Sequence, residues 1–187
     1  MDQRAVIIVA GALVGMVAWQ LYRNATAVTA GDENSDILSD TYDDMQNMIT
    51  GWPSGSAPYQ EAITAAAQAS GVPVSILAWL LWKESRYNPA IIDGTKRSSV
   101  GAVGIAQFMP ATAASLGVDP LDPSDAIPGA ARYLATLYRS TGTWAQALAA
   151  YNWGIGNVQR KGLAAAPAET QDYYTTILAK AGFAETV

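Results

Sequence analysis

The chain has 187 residues, half of them apolar, which gives room for one domain with a proper core and excludes a chain that stays disordered throughout. It contains no Cys and no His, so disulfides, thiolate nucleophiles, imidazole bases and the usual zinc sites are excluded, and any catalysis rests on carboxylates, hydroxyls, amides or Lys. The net charge of -5 is local in origin: Asp32, Glu33, Asp36, Asp40, Asp43 and Asp44 carry it, acidic and basic residues balance from Pro58 onward, and without a basic stripe there is no nucleic-acid partner to expect.

Residues 5–22 read AVIIVAGALVGMVAWQLY, an uncharged run close to the ~20 residues that cross a bilayer. Trp19 and Tyr22 suit the interfacial belt, and Arg4 and Arg23 bracket the run. A single N-terminal transmembrane helix is therefore expected within residues 1–23, its amino terminus in the cytoplasm. The alternative is a cleaved leader with Val28, Thr29 and Ala30 at its cleavage site, but Arg23 lies between the apolar run and that site. Gly11 and Gly15 form a GxxxG pair, a pattern that lets two membrane helices pack closely and self-associate. Residues 24–57 read as an acidic flexible linker ending in the turn-rich GWPSGSAP, with room for a short helix within residues 37–49.

Residues 58–187 read as helices with clear punctuation. One over residues 59–70 stops at Gly71, Pro73 opens a second over residues 74–86, and Pro89 closes that region. A loop rich in Gly and Ser follows. Further helices are predicted over residues 111–116, over 124–140 with Ser124 as N-cap, over 143–152 with Thr143 as N-cap, and over 168–181 before Gly182. No segment alternates as a strand does, so the fold class is all-α.

Within the second helix, Ile76, Leu77, Leu80 and Leu81 recur at the spacing of a face turned toward a core. Glu84 continues that stripe, four residues past Leu80 and seven past Leu77, so its side chain emerges at the edge of apolar packing. Desolvation of that kind raises a carboxyl pKa and lets the group donate a proton near neutral pH. A Glu near a helix end is ordinarily a solvated surface group, however, and position alone does not decide.

Four segments are odd for a purely structural helical domain. ESRYNP (residues 84–89) sets the hydroxyl of Ser85 directly after Glu84. GAVGIAQFMP (residues 101–110) has Gly101 and Gly104, which let a backbone approach a ligand closely, and Gln107, which both donates and accepts. AYNWG (residues 150–154) ends an Ala-rich helix with Tyr151 and Asn152, and ETQDYY covers residues 169–174. Singly, each has a structural reading: the glycines shape a turn, Tyr151 is a core residue with a satisfied hydroxyl, and Glu169 with Thr170 starts a helix.

Together and in this order the segments resemble the lysozyme-like lytic transglycosylases that cut bacterial peptidoglycan, the family with the soluble lytic transglycosylase (SLT) catalytic domain. ESRYNP matches the family's catalytic ES block with its aromatic-Asn-Pro tail, GIAQFMP its G-hydrophobic-Met-Gln-x-Met-Pro block, AYNWG its AYNxG, and ETQDYY its ET-x-x-Tyr segment. The resemblance spans about residues 59–181. Ala106 stands where the family usually has Met, and Trp153 where it has a small residue, changes expected to reshape the sugar groove.

The resemblance implies a lysozyme-like helical domain acting on glycan strands, without metal or cofactor, at the β-1,4 bond between N-acetylmuramic acid and N-acetylglucosamine. Glycosidases usually use two carboxylates; the nearest second candidate in sequence, Asp93, is read as a loop-holding residue. The family's nucleophile is instead the muramic acid C6 hydroxyl, which closes a 1,6-anhydro ring. Glu84 is then acid and afterwards base, Ser85 and Gln107 hold Glu84 or the substrate, and Met109 lines the groove. Tyr151 orients the acid or steadies the transition state, Asn152 supports the loop, and Glu169 and Tyr173 brace the cleft. The alternatives are a hydrolytic muramidase on the same fold and a non-catalytic wall-binding assembly protein. The expected setting is a membrane-anchored enzyme with its domain in the periplasm or cell envelope, a component of a secretion apparatus, or a phage virion protein.

Overall fold

Each helix of this protein ends where its sequence stops supporting the backbone ladder. The computed structural model describes residues 51–98 and 100–183. The chain divides into two units, Met1–Ser54 and Gly55–Val187, and the helices among the described residues belong to the second. They are α1 (Gln60–Ser70), α2 (Val74–Ser85), α3 (Pro89–Ile92), α4 (Pro110–Leu116), α5 (Pro123–Thr141), α6 (Trp144–Trp153), α7 (Ile155–Lys161) and α8 (Ala168–Ala181), with 3-10 turns at Ala57–Tyr59 and Leu163–Ala165. The expected membrane helix, the Gly11/Gly15 pair and the short helix within residues 37–49 lie outside the described residues. Among the described residues no helix is long and apolar enough to cross a membrane.

The all-α expectation holds, and no strand is present among the described residues beyond one isolated bridge between Val103 and Phe108. Gly71 closes α1 in the left-handed conformation, returning its N–H to the carbonyls of Ala67 and Gln68. Thr143 caps α6 as predicted, accepting from the Gln146 N–H at 3.2 Å. The prolines behave differently from the expectation. Pro89 opens α3 instead of ending the region, because Asn88 caps the Ala90 N–H and Pro needs no donor at the first helical position. Pro110 and Pro123 likewise occupy the first position of α4 and α5, where no donor is needed, although only α5 has a side-chain cap. The cap of α5 is therefore Asp122, whose carboxylate accepts from the Ser124 N–H at 2.8 Å, and Ser124 itself lies inside the helix. Helix α7, absent from the sequence reading, begins directly after Gly154, whose φ of 90° redirects the chain.

Helix α6 runs through the middle. Its Trp144, Ala145, Ala147, Leu148, Ala149 and Ala150 are all buried, and the small side chains let α5, α7 and α8 approach its backbone closely. Helix α1 packs on α5 and α2, and α2 packs on α8. On α2 the stripe of Ile76, Leu77, Leu80 and Leu81 is fully buried, as its spacing demands. The last turn of α2 thus arrives at the site already fixed by packing against α1 and α8.

The loop between α3 and α4 is shaped by glycine. At Gly104, φ is 78° and a Cβ would lie 1.7 Å from the Pro120 carbonyl oxygen; at Gly101, φ is 88° but the space around a Cβ is open. Gly101→Ala is therefore expected to cost only the backbone strain, about 1–2 kcal/mol, and Gly104→Ala to cost clearly more, about 3 kcal/mol or above, because backbone must move. Urea unfolding of the two variants measures this; equal losses would show that the contact with Pro120 does not constrain the loop.

Candidate active site

Packing of α2 against α1 and α8 leaves Glu84 at the helix end only partly open to solvent. The Tyr173 hydroxyl of α8 donates to Glu84 Oε1 at 2.5 Å. Desolvation raises the Glu84 pKa from 4.5 to about 7, against the opposing effects of the Tyr173 hydrogen bond and the Lys83 charge. A carboxyl in this state keeps a proton on a large share of molecules near neutral pH and retains some solvent exposure.

Tyr151, on α6, is the second hydroxyl at the site. Burial pushes its pKa well above the ordinary tyrosine value, and the nearby Glu84 and Tyr133 push it further. It therefore stays a neutral donor, and it donates to the Ala106 backbone carbonyl at 3.0 Å. That bond ties the 101–108 loop to α6 beside the acid. The Tyr151 ring lies 6.1 Å from Phe108 and 5.4 Å from Tyr133, and Phe108 and Tyr133 lie 6.4 Å apart, so three rings from three elements back the loop. Ala106 is fully buried beneath this arrangement. Its side chain is enclosed, and the tether uses only its backbone oxygen.

The remaining motif residues divide into two groups. Gln107 adopts φ 47° and turns its amide back to donate to the Gly104 carbonyl at 2.9 Å, which holds the loop in shape. Met109 follows at the N-terminus of α4 with 43 % of its surface exposed, available to an apolar face of a ligand. Asn152 accepts from Thr170 Oγ1 at 2.7 Å, joining α6 to α8. Ser85, by contrast, is fully buried, donates to the Leu81 carbonyl at 3.0 Å and accepts from the Tyr87 N–H at 3.1 Å. In place of the expected contact with Glu84 or substrate, its hydroxyl ties off the end of α2. Glu169 is exposed in the first turn of α8, where its charge meets the positive end of the helix. Trp153 is partly exposed, with Lys161 Nζ 5.3 Å from its ring centre.

Two residues that the sequence did not place at the site belong here. Thr170, only 2 % exposed, supplies the donor for Asn152. Tyr133 lies within α5 and carries no motif signal; only its ring contacts reveal it. The non-glycine residues with positive φ among the described residues are Arg86, Tyr87 and Gln107, all in the motif segments. Such strain persists only where surroundings impose it. At Tyr87 they do: its hydroxyl donates to the Ala78 carbonyl at 2.8 Å and its ring stacks on Tyr59 at 5.7 Å.

The other acidic side chains of these segments are engaged elsewhere. Asp93 Oδ1 accepts from the Thr95 N–H at 2.8 Å and from the Thr95 hydroxyl, and these bonds hold its carboxyl below the usual range. Asp172 pairs with Lys83 at 2.6 Å. Among the described residues no three acidic side chains converge as a metal site requires.

The sequence model of the family described as "Transglycosylase SLT domain" matches residues 61–174, a stretch that contains all four motif segments. The chain is 37% identical over 109 residues to a peptidoglycan transglycosylase of Escherichia phage T7, covering 54% of this chain and 8% of that protein. It is 37% identical over 102 residues to a transglycosylase of Enterobacteria phage PRD1, covering 54% and 37%. It is 35% identical over 108 residues to a membrane-bound lytic murein transglycosylase F of Alkalilimnicola ehrlichii, covering 54% and 23%. The chain thus spans well under half the length of each of these relatives. Among solved structures, the 70 kDa soluble lytic transglycosylase of Escherichia coli superposes with a TM-score of 0.57 at 26% identity, over 66% of this chain and 23% of that one. An inactive mutant of the lytic transglycosylase Slt from Pseudomonas aeruginosa superposes with a TM-score of 0.59 at 21% identity, over 86% and 31%, a likeness of fold. With its motifs, helical architecture and matched stretch in agreement, the chain belongs to the transglycosylase SLT domain family.

Proposed function

We propose that residues 58–187 form a peptidoglycan lytic transglycosylase, which cleaves the β-1,4 bond after N-acetylmuramic acid and leaves a 1,6-anhydromuramic acid end. The observation that carries this reading is Glu84: a half-enclosed carboxyl with a pKa of about 7, bonded to Tyr173, while Asp93, Asp172 and Glu169 are placed for other roles. A site with one such carboxyl favours a nucleophile carried by the substrate.

Protonated Glu84 gives its proton to the glycosidic oxygen as the C1–O4 bond breaks and positive charge builds on the sugar. The carboxylate left behind stabilises that charge, then removes the proton of the C6 hydroxyl as O6 bonds to C1. Water is not consumed and Glu84 ends protonated, ready for another cycle. Tyr173 fixes the carboxyl's orientation throughout, and Tyr151 keeps the 101–108 loop against it, with Gln107 shaping that loop and Met109 presenting an apolar surface to the sugar. Asn152, held by Thr170, links α6 to α8 behind the site.

The membrane helix within residues 1–23 and the acidic linker of residues 24–57 complete the proposal. They would tether the domain to wall strands near a membrane. Similarity to two phage transglycosylases and to a membrane-bound murein transglycosylase supports action at the cell envelope, in a virion or on a membrane.

Glu84→Gln is expected to reduce lysis of purified sacculi by at least ~1,000-fold, the scale of losing a general acid that also serves as base; retained turnover would sink the assignment. Mass spectrometry of the wild-type digest should find muropeptides one water lighter than hydrolysed ones. Products of hydrolytic mass would identify a muramidase, and binding without turnover a non-catalytic wall protein.

Activity should fall as pH rises through about 7, where Glu84 loses its proton. Tyr173→Phe removes a bond that favours the anion, so that limb should move to higher pH while kcat drops by about 10-fold or more. Stability follows the opposite course for the Gln variant. A raised folded-state pKa means the wild-type stabilisation is full below about 4.5 and lost as pH rises through about 7. Glu84→Gln should therefore be more stable than wild type at pH 8, by an amount below the limit of about 3 kcal/mol set by the shift and reduced by partial solvent access. The advantage should shrink toward pH 5 in thermal unfolding.

A further inference from the structure

Glu84 and Tyr173 do not meet alone. Lys83 immediately precedes Glu84 on α2, Asp172 immediately precedes Tyr173 on α8, and the Lys83 ammonium donates to Asp172 Oδ2 at 2.6 Å. Two consecutive residues of one helix are thus cross-linked to two consecutive residues of another, 89 positions away. The Lys83 side chain is only 17% exposed, while Asp172 is 68% exposed, so the cation is held along protein surface with its partner on the solvent side. An exposed pair of this kind adds little to stability, about 0–1 kcal/mol. Its location beside the acid gives it another use.

We propose that the Lys83–Asp172 ion pair registers α8 against α2 at Glu84 and balances the charge beside the acid, so that the pair fixes the pH range over which the enzyme works. This rests on the transglycosylase reading for its activity readout only. The groups facing Glu84 are Lys83 from α2, Tyr173 with the neighbouring Asp172 from α8, and Tyr151 from α6, which Tyr133 of α5 adjoins. Arg86, at the end of α2, acts on Asp172 and lies flat over Trp82, 3.6 Å from the ring centre. Burial holds the protons of Tyr151 and Tyr173 far above neutral pH. The charges that act on Glu84 are therefore those of Lys83 and, through it, Asp172. Lys83 favours the Glu84 anion, and Asp172 offsets part of that field.

Removing the partners singly must then move the acid in opposite directions. Lys83→Met leaves the Asp172 charge uncompensated and should move the Glu84 titration up by about half a pH unit or more. Asp172→Asn leaves the ammonium uncompensated and should move it down by a similar amount. The double variant should return close to wild type, and Lys83→Arg should stay there. The measurement is a carbon-13 titration of side-chain carboxyls in the full chain, with Glu84→Gln assigning the resonance, alongside the pH profile of sacculus lysis. Opposite shifts in the titration, mirrored by the lysis profile, support the proposal. If the carboxyl shifts as expected but the wild type lyses no sacculi, the pair stands and the enzymatic reading fails. Single variants that lower turnover without moving the titration, or that both move it the same way, reduce the pair to a mechanical clasp and overturn it.

Discussion

Water is scarce around the Glu84 carboxyl, and most of the domain can be understood as the scaffold that keeps it so. A carboxylate in bulk solvent is ionised at neutral pH and has no proton to give. Here α2 enters the core along an apolar stripe, α6 offers alanines that bring neighbouring backbones close, and α8 closes over the end of α2 with Tyr173. Remove any of these and the carboxyl regains solvent. The hydrogen bond from Tyr173 works against the desolvation, so the final proton affinity is a compromise between enclosure and partnership.

The second constraint is the loop between α3 and α4. It has little regular structure of its own, only the Val103–Phe108 bridge and the turn in which the Gln107 N–H reaches the Gly104 carbonyl at 3.2 Å. Its position comes from outside: Pro120 beneath Gly104, the ring cluster of Phe108, Tyr133 and Tyr151, and the Tyr151 hydroxyl on the Ala106 carbonyl. Because that last bond is to backbone, the identity of residue 106 is free to vary while the tether persists. The departure from the family's usual Met therefore leaves the tether unaffected.

Much of this was legible in the sequence because it follows short-range rules. The periodic stripe on α2 indicated both the helix and the exceptional place of Glu84, and Gly71 and Gly182 mark helix ends through a conformation that glycine adopts readily. The four motif segments contain Tyr173, which bonds Glu84, and Tyr151, which holds the loop that Gln107 shapes. What stayed hidden depends on distance in space. Tyr133 has the look of an ordinary amphipathic-helix residue, and Thr170 that of a helix start, until α5, α6 and α8 are packed together. Ser85 misled for the opposite reason: next to Glu84 in sequence, its hydroxyl is consumed by the backbone of its own helix end. The proline errors share one cause. Pro89 reads as a stop and Ser124 as the cap, although Asn88 and Asp122 stand ready to cap and Pro suits the residue after a cap.

The hydroxyl that meets Glu84 arrives 89 residues after it. During synthesis the ribosome therefore delivers the acid early and its partner late, and contacts of long sequence separation form slowly compared with the helices themselves. A nascent chain that has made α2 but not docked α8 carries a carboxylate still bathed in water, ionised and without a proton to donate. The raised proton affinity of Glu84 is thereby coupled to completion of the domain: the carboxyl becomes a proton donor near neutral pH only once α8 is in place.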